Sequence, residues 1–412
     1  MRRRTGIHGV SGWWKTALLL VFVLVAVTGC EIPPEKPPLE VPPAVPSLIR
    51  VEPGEDLVFD DDLDPGSLEL AVLRSLDYYQ RLPDDRLFFF GGIPYTVQEL
   101  KESLRDFLTI VKTSSTPAER SRKLRNTFDL YRSAAGTAGD AVLFTGYYAP
   151  VLEGSLTQTP VFAYPIYRTP DDHIVIHLGR FDEKHAGERL IARLDGNEAV
   201  PYYTRGEIDI EQCLRGRGLE LVWLADPVDV FFLHIQGSGL VNLPDGRRLT
   251  VSYAQSNGHP YRSVGRLLME REGLTPAQVS MRGIKEYLRE RPDEMLRILA
   301  HNESYVFFRI VEEGPIGCLD VPVTPGRTIA TDPAYFPQGA LAFIRLKKPT
   351  VDNDGNIVDW VFFSRFALNQ DAGGAIKGPR RVDLYCGDDA YAEIMAGHLR
   401  QEGELYFLVR KK

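Results

Sequence analysis

From Asn369 to Gly387 the chain reads N-Q-D-A-G-G-A-I-K-G-P-R-R-V-D-L-Y-C-G, preceded by an aromatic and apolar run from Trp360 to Leu368. That run and the short segment Val382 to Tyr385 have the composition of strands. Between them stand Gly373, Gly374, Gly378 and Pro379. Glycine accepts positive φ and lets backbone come close to a neighbour, so the stretch predicts strand, glycine-shaped turn, strand. One carboxylate stands at each end, Asp371 before the turn and Asp383 after it. Aspartates beside such turns commonly bond their own backbone, which is the plain alternative to a chemical role. An aspartic protease needs two carboxylates that share a proton, hence two D-[ST]-G copies. D-A-G-G occurs once.

The N-terminus reads as an address. Arg2, Arg3, Arg4 and Lys15 flank an apolar run from Ala17 to Val27, followed by Val27-Thr28-Gly29-Cys30. The run is short for a membrane span and suits a signal-peptide core, so residues 1–29 are expected to be a signal peptide. A cysteine directly after a small residue resembles a bacterial lipobox, which implies acylation of Cys30; simple secretion is the alternative. Glu31 in place of Asp favours the outer membrane by the same resemblance, with the protein body facing the periplasm. Residues 30–55 are rich in Pro-Pro pairs and read as a tether. Polyproline II rises about 3.1 Å per residue, so such a tether reaches roughly 70 Å.

A length of 412 residues suggests two domains. A net charge of -8 argues against a nucleic-acid partner and leaves a neutral carbohydrate open. After Cys30 only Cys213, Cys318 and Cys386 remain, enough for one disulfide at most. No C-x-x-C pair is present, and no metal or cofactor is expected.

Helical signals come first. Ser67 to Leu82 is densely apolar and ends before Pro83, and Thr96 with Glu99 forms a capping box ahead of an apolar stripe from Val97 to Val111. Thr116 with Glu119 repeats the box. Strands are expected at Ile174 to Leu178, Leu219 to Leu224, Val228 to Ile235 and Arg248 to Tyr253, with Asp245-Gly246 as a hairpin turn. Thr275 to Gln278 is a third box, before helical spacing in Met281 to Leu288 and Glu294 to Ala300. Short strands divided by Pro and Gly, through Ala340 to Leu346, Trp360 to Leu368 and Leu405 to Arg410, describe a small β-barrel.

Several stretches share one resemblance: F-T-G-Y-Y-A-P (144–150), Y-P-I-Y (164–167), H-I-Q-G-S-G (234–239), Y-A-Q-S-N-G-H-P-Y (253–261), N-E-S-Y-V-F-F (302–308) and Q-D-A-G-G-A-I-K-G-P with D-L-Y-C-G. Together they resemble the membrane-bound lytic transglycosylase A family, MltA, over about Gly66 to Leu408. The resemblance implies a mainly β fold with flanking helices (α+β), a double-psi β-barrel with a second, inserted β-barrel-like domain. The barrel would be discontinuous, residues 56–150 plus 301–412, with 151–300 inserted.

It also implies an enzyme that cleaves peptidoglycan glycan strands without water and without a cofactor. Asp383 matches the catalytic acid/base, and Asp371 a neighbouring aspartate that would orient groups or raise the pKa of Asp383. One residue can protonate the glycosidic oxygen and then take the proton of the muramic acid C6 hydroxyl as a 1,6-anhydro ring closes. Sugar clefts combine aromatic faces with amides and hydroxyls. Thr145, Tyr147, Tyr148, Gln236, Ser238, Tyr253 and Asn257 are of those types, and Lys377 is either a substrate-pairing cation or a turn stabiliser. Cys386 is a potential partner for Cys318. An endoglucanase-like hydrolase on the same barrel and a non-catalytic wall-binding lipoprotein remain the other readings. The expected partners are the glycan strand and, through Cys30, outer-membrane lipid; the sequence names no protein partner.

The lipobox yields a direct expectation. Cys30→Ala should move the protein from the membrane to the soluble fraction of broken cells, whereas unchanged membrane retention would rule out the acyl anchor.

Overall fold

The computed structural model describes residues 48–51, 57–133, 141–275 and 278–412. The signal peptide, Cys30 and the start of the tether lie outside these residues. The tether was expected to run to residue 55, but Leu48–Arg50 is already a strand, antiparallel to Phe128–Ser133. Leu48 is buried in the main core, which takes this end of the tether into the fold.

The architecture is mixed α/β around a closed six-stranded barrel. In order, Arg400–Arg410 pairs with Leu341–Val351, then Ile357–Asp371, Thr328–Ala330, Arg381–Tyr385 and Val142–Tyr147, which returns to Arg400–Arg410. Two of these pairings are parallel: Thr328–Ala330 with Ile357–Asp371, and Arg381–Tyr385 with Val142–Tyr147. The strands expected near the C-terminus are all present. The glycine turn between Asp371 and Asp383 is not a hairpin, however, because Thr328–Ala330 lies between the strands it joins.

Alternation sorts the strand faces. Phe144, Val382 and Leu384 point into the main core with Phe343, Phe366 and Phe407. Thr145, Tyr147, Asp383 and Tyr385 therefore face outward from the barrel wall. Gly146 lies where a Cβ would meet the Cα of Ala396 at 2.8 Å, on helix Ala390–His398. The glycine in F-T-G-Y thus permits that helix to close on the barrel.

Helices Pro65–Gln80 and Val97–Thr113 cover the core with Leu68, Val72, Leu100, Leu104 and Phe107. Both arms of the Thr96–Glu99 capping box form. Helix Pro117–Thr127 keeps one arm: Thr116 accepts from the Glu119 amide, while the Glu119 carboxylate accepts from Ser115. At the third box Thr275 bonds Gln278, but the cap of the following helix, Met281–Arg289, is Ser280.

Residues 151–311 contribute a second, six-stranded sheet. It holds Val151–Ser155, Tyr164–Tyr167, Glu220–Leu224, Ser238–Asn242, Arg248–Ser256 and Val306–Val311. Its edge strands approach through one bridge, Arg168 to Phe308, so the sheet curls toward closure. The loop with Asp245-Gly246 joins two of its strands as expected, Gly246 at φ 84°. Val228 to Ile235, expected as a strand, is instead a helix, Pro227–Gln236. Its apolar run fits either element, and the ends decide. Asp226 caps the Val228 amide, Pro227 opens the first turn, and Gly237 at φ 78° ends it.

One buried cation ties the chain's first described helix to the barrel. Arg327 is fully buried and donates to Asp61 Oδ2 at 2.6 Å, to the carbonyls of Phe366 and Asp64, and to Ser67 Oγ. Arg327→Met should strand the buried Asp61 carboxylate and cost about 3–5 kcal/mol. Urea denaturation at neutral pH measures it, and a loss within the error of the method would mean that the carboxylate is solvated after all.

Candidate active site

Parallel pairing sets Asp383 opposite Thr145 and Tyr385 opposite Tyr147. On the other side of Asp383, Ala330 is its antiparallel partner, and Ala330 is also in register with Asp371. The two aspartates thus stand at one height, a strand apart on either side of Ala330, with Cα atoms roughly 10 Å apart from the usual strand spacing.

Their environments differ. Thr145 Oγ1 donates to Asp383 Oδ1, and Arg381 Nε lies 3.5 Å from the same oxygen. Burial raises the Asp383 pKa, and the Thr145 hydrogen bond and the charge of Arg381 oppose the rise. Asp371 accepts three hydrogen bonds: Tyr147 Oη to Oδ2 at 2.7 Å, and the amides of Cys318 and Ala372 to Oδ1 at 2.9 Å each. Burial raises Asp371 as well, against these three donors, and the charge of Asp383 adds to the rise. Desolvation is the largest cause lifting Asp383, and mutual repulsion between the two carboxylates acts in the same direction. Burial also holds the Tyr147 phenol far above its usual pKa, so it stays a donor.

The other residues expected in the site fall into two groups. Tyr147 packs its ring 5.2 Å from Tyr385, in a small cluster with Ala149, Val323 and Leu240. Leu240 belongs to the second sheet, so this cluster joins that sheet to the barrel wall beside the aspartates. Gln236 Oε1 accepts from the backbone amide of Tyr148 at 3.0 Å, which holds the end of helix Pro227–Gln236 next to the Thr145 strand. Ser238 is buried and pairs with Ser252, while Tyr253 is 39% exposed on the neighbouring strand. Lys377 is exposed in the glycine loop and has no ion-pair partner among the described residues.

Two expected ligands turn away. The Tyr148 hydroxyl points to the terminal helix and bonds Glu393 Oε1 at 3.1 Å. The Asn257 amide is spent internally: Nδ2 donates to the carbonyls of Tyr203 and Glu303, and Oδ1 accepts from the Tyr305 and His259 amides. These polar atoms make internal contacts, which sequence could not separate from sugar contacts. Cys318 and Cys386 are both free thiols.

Sequence reasoning missed four contributors. Arg381 was given no role. Tyr385, seen only as a strand residue, completes the aromatic wall. Arg400 pairs with Thr145 from the strand on its far side. Asp332 accepts from the Ala334 amide and also from the Gly378 amide at 2.8 Å, pinning the glycine loop. Within that loop only Gly378 uses positive φ (81°); Gly373 and Gly374 do not. No signal short of the strand register would have found Arg400.

Among the described residues no group of three or more His, Cys, Asp or Glu side chains is placed to hold a metal. His173 and His177 have the four-residue spacing of a helical zinc pair, but they flank and end a strand, Ile174–His177, and His173 Nε2 lies 2.9 Å from the Ser256 carbonyl. A cavity of about 510 Å³ lies elsewhere, lined by Leu267, Arg271, Glu294, Arg297 and His301, and holds none of the residues above.

This barrel, with an acidic pair on its wall and a second sheet against it, is shared with known proteins. A family model described as the MltA specific insert domain matches residues 143–309, and one described as the 3D domain matches 327–409. Membrane-bound lytic murein transglycosylase A of Vibrio cholerae is 31% identical over 272 residues, 65% of each chain. The chain therefore spans about two thirds of that relative's length. The crystal structure of a membrane-bound lytic murein transglycosylase from Agrobacterium tumefaciens is 32% identical, with 84% of this chain and 93% of that chain covered, at a TM-score of 0.69. Escherichia coli MltA with bound chitohexaose shares the fold at 22% identity and a TM-score of 0.66, covering 89% of this chain and 95% of that one. The chain belongs to the MltA family.

The Asp383 environment has a thermodynamic signature. A carboxyl whose folded pKa is raised is stable below its unfolded pKa and costs stability as pH rises through the folded value. Asp383→Asn should therefore be more stable than the parent at neutral pH. The gain should vanish below about pH 4, the ordinary aspartate range. Urea midpoints at both pH values measure it; a variant less stable at neutral pH would mean that the charged form is favoured in the fold.

Proposed function

We propose that the protein is a lytic transglycosylase of peptidoglycan. It cleaves the MurNAc-β-1,4-GlcNAc bond without water and leaves 1,6-anhydro-MurNAc ends. The observation that carries this reading is the asymmetry of the two aspartates. Asp383 keeps one hydroxyl donor and a raised pKa, as an acid that must hold its proton near neutral pH requires. Asp371 has both oxygens engaged by three donors. A hydrolase needs a second carboxylate as nucleophile or as base for water, and Asp371 is poorly placed to be one. A transglycosylase needs only the first.

In the reaction Asp383 protonates the glycosidic oxygen as the C1–O bond breaks. Its carboxylate, held by Thr145, then takes the proton of the C6 hydroxyl as that oxygen closes on C1. Tyr147 and Asp371 hold the wall rigid beside it. Gln236, Ser238, Tyr253 and Lys377 are the side chains left to meet the glycan. Tyr148 and Asn257 leave that set because their polar atoms are already bonded inside the protein.

The same reading covers the frame. Two parallel pairings within a closed six-stranded barrel support a double-psi topology. We divide the chain into that barrel and an inserted β domain, and set the second junction after Val311 rather than at residue 300, because Val306–Val311 is bonded to the second sheet. Among the described residues no helix is long and apolar enough to cross a membrane. We assign membrane attachment to acylated Cys30, with the body in the periplasm at the outer membrane.

Asp383→Asn should lose about 10²–10⁴-fold in turnover, the usual contribution of a positioned acid/base, and Asp371→Asn clearly less. Mass spectrometry of muropeptides released from purified sacculi is the assay, with folding followed by circular dichroism. Reducing ends instead of anhydro ends would make the protein a hydrolase, and near-normal turnover of Asp383→Asn would move the chemistry to another residue.

A further inference from the structure

Arg381 bridges its own strand and the glycine loop. It is two residues before Asp383 on the same strand, so both side chains face outward from the barrel. Its Nε is 3.5 Å from Asp383 Oδ1, and its Nη1 donates to the Ala375 carbonyl of the glycine loop at 3.2 Å. In the loop that follows the second sheet's strand Arg248–Ser256, burial raises the pKa of Tyr261, and the charge of Arg381 is a minor opposing influence. A half-exposed cation on a strand usually points to water, whereas this one links Asp383 to the glycine loop.

We propose that Arg381 is a positioning residue for the acid/base: it steadies the carboxylate that Asp383 becomes after giving up its proton, and it latches the loop that carries Lys377. The proposal rests on the transglycosylase reading above. In that reaction Asp383 must part with a proton and wait, ionised, for the C6 hydroxyl. A guanidinium beside it favours the ionised form, against the burial that opposes it.

The groups that bear on Asp383 can be named element by element. The flanking strand Val142–Tyr147 offers Thr145 as donor and Tyr147 as a neutral phenol. The other neighbour, Thr328–Ala330, brings only Ala330 into register. Beyond these stand Asp371, whose charge is engaged by its three donors, and Arg400, exposed beside Thr145. The half-buried Cys386 thiol on the same strand's exit is pushed up to about 12 by desolvation and stays neutral. Arg381 is therefore the one cation within contact distance of the Asp383 carboxylate among the described residues.

The test is the pH dependence of anhydro-muropeptide release from sacculi by the full chain, Arg381→Gln and Arg381→Lys. The basic limb marks loss of the Asp383 proton. Arg381→Gln should move that limb to higher pH and lower kcat by about two- to fivefold, the range for a half-exposed ion pair. Arg381→Lys keeps the charge and should leave the limb in place. A limb unmoved in Arg381→Gln, or moved alike in both variants, overturns the proposal. If the parent itself releases no anhydro ends, the transglycosylase reading has failed instead. Should Arg381→Gln not fold, carboxyl ¹³C NMR of the parent at low and high salt tests the same contact. Salt screens a half-exposed cation, so the Asp383 titration should rise, and a titration indifferent to salt overturns the proposal.

Discussion

The parallel pairing of Val142–Tyr147 with Arg381–Tyr385 is the contact on which the rest of the molecule depends. It closes the barrel, because Val142–Tyr147 also pairs with Arg400–Arg410 on its other edge. It places Thr145 against Asp383 although 238 positions of chain separate them. Everything between, including the whole second sheet, leaves from the end of one of these strands and returns before the other begins. A parallel pair cannot be joined by a tight turn, and here the crossover is long enough to hold a further sheet.

That geometry also accounts for the electrostatics. Both aspartates are half-buried on the barrel wall, and desolvation raises both. What separates them is the number of donors each receives. The backbone supplies two of the three to Asp371, through Cys318 and Ala372, and backbone donors cannot move away with a side chain. Asp383 has one hydroxyl and a half-exposed guanidinium. A carboxyl with few fixed donors in a buried place keeps its proton more readily. The acid role proposed for Asp383 rests on this difference.

The stability of the barrel rests on its apolar interior and on polar ties at its rim. Phe343 and Phe366 contact at 5.0 Å in the core, with Phe59 from the N-terminal segment against both. At the rim Arg327 and Arg365 grip Asp61 and Asp62, which brings that segment onto the barrel. A fully buried arginine is tolerated because its donors find the Asp61 carboxylate, two carbonyls and a hydroxyl.

Much of this was legible in the chain. The capping residues Thr96 and Glu99, the hairpin at Asp245-Gly246 and the strands around the glycine turn are local, and local chemistry decides them. The long motif ending in D-L-Y-C-G was enough to indicate the family and the candidate acid. Val228 to Ile235 was misread because an apolar run of that length suits two periodicities, and only its ends, Asp226-Pro227 and Gly237, tell them apart. Tyr148 and Asn257 were hard to place for a different reason: an aromatic or an amide in a shared motif looks the same whether it faces a ligand or a backbone carbonyl. Tertiary structure alone settled which way their polar atoms point, set Ala330 between the aspartates, and brought Arg381 to Asp383. Strand register is a relation between distant segments, and no stretch of sequence carries it, because each strand's pattern is satisfied by any partner that buries the same face.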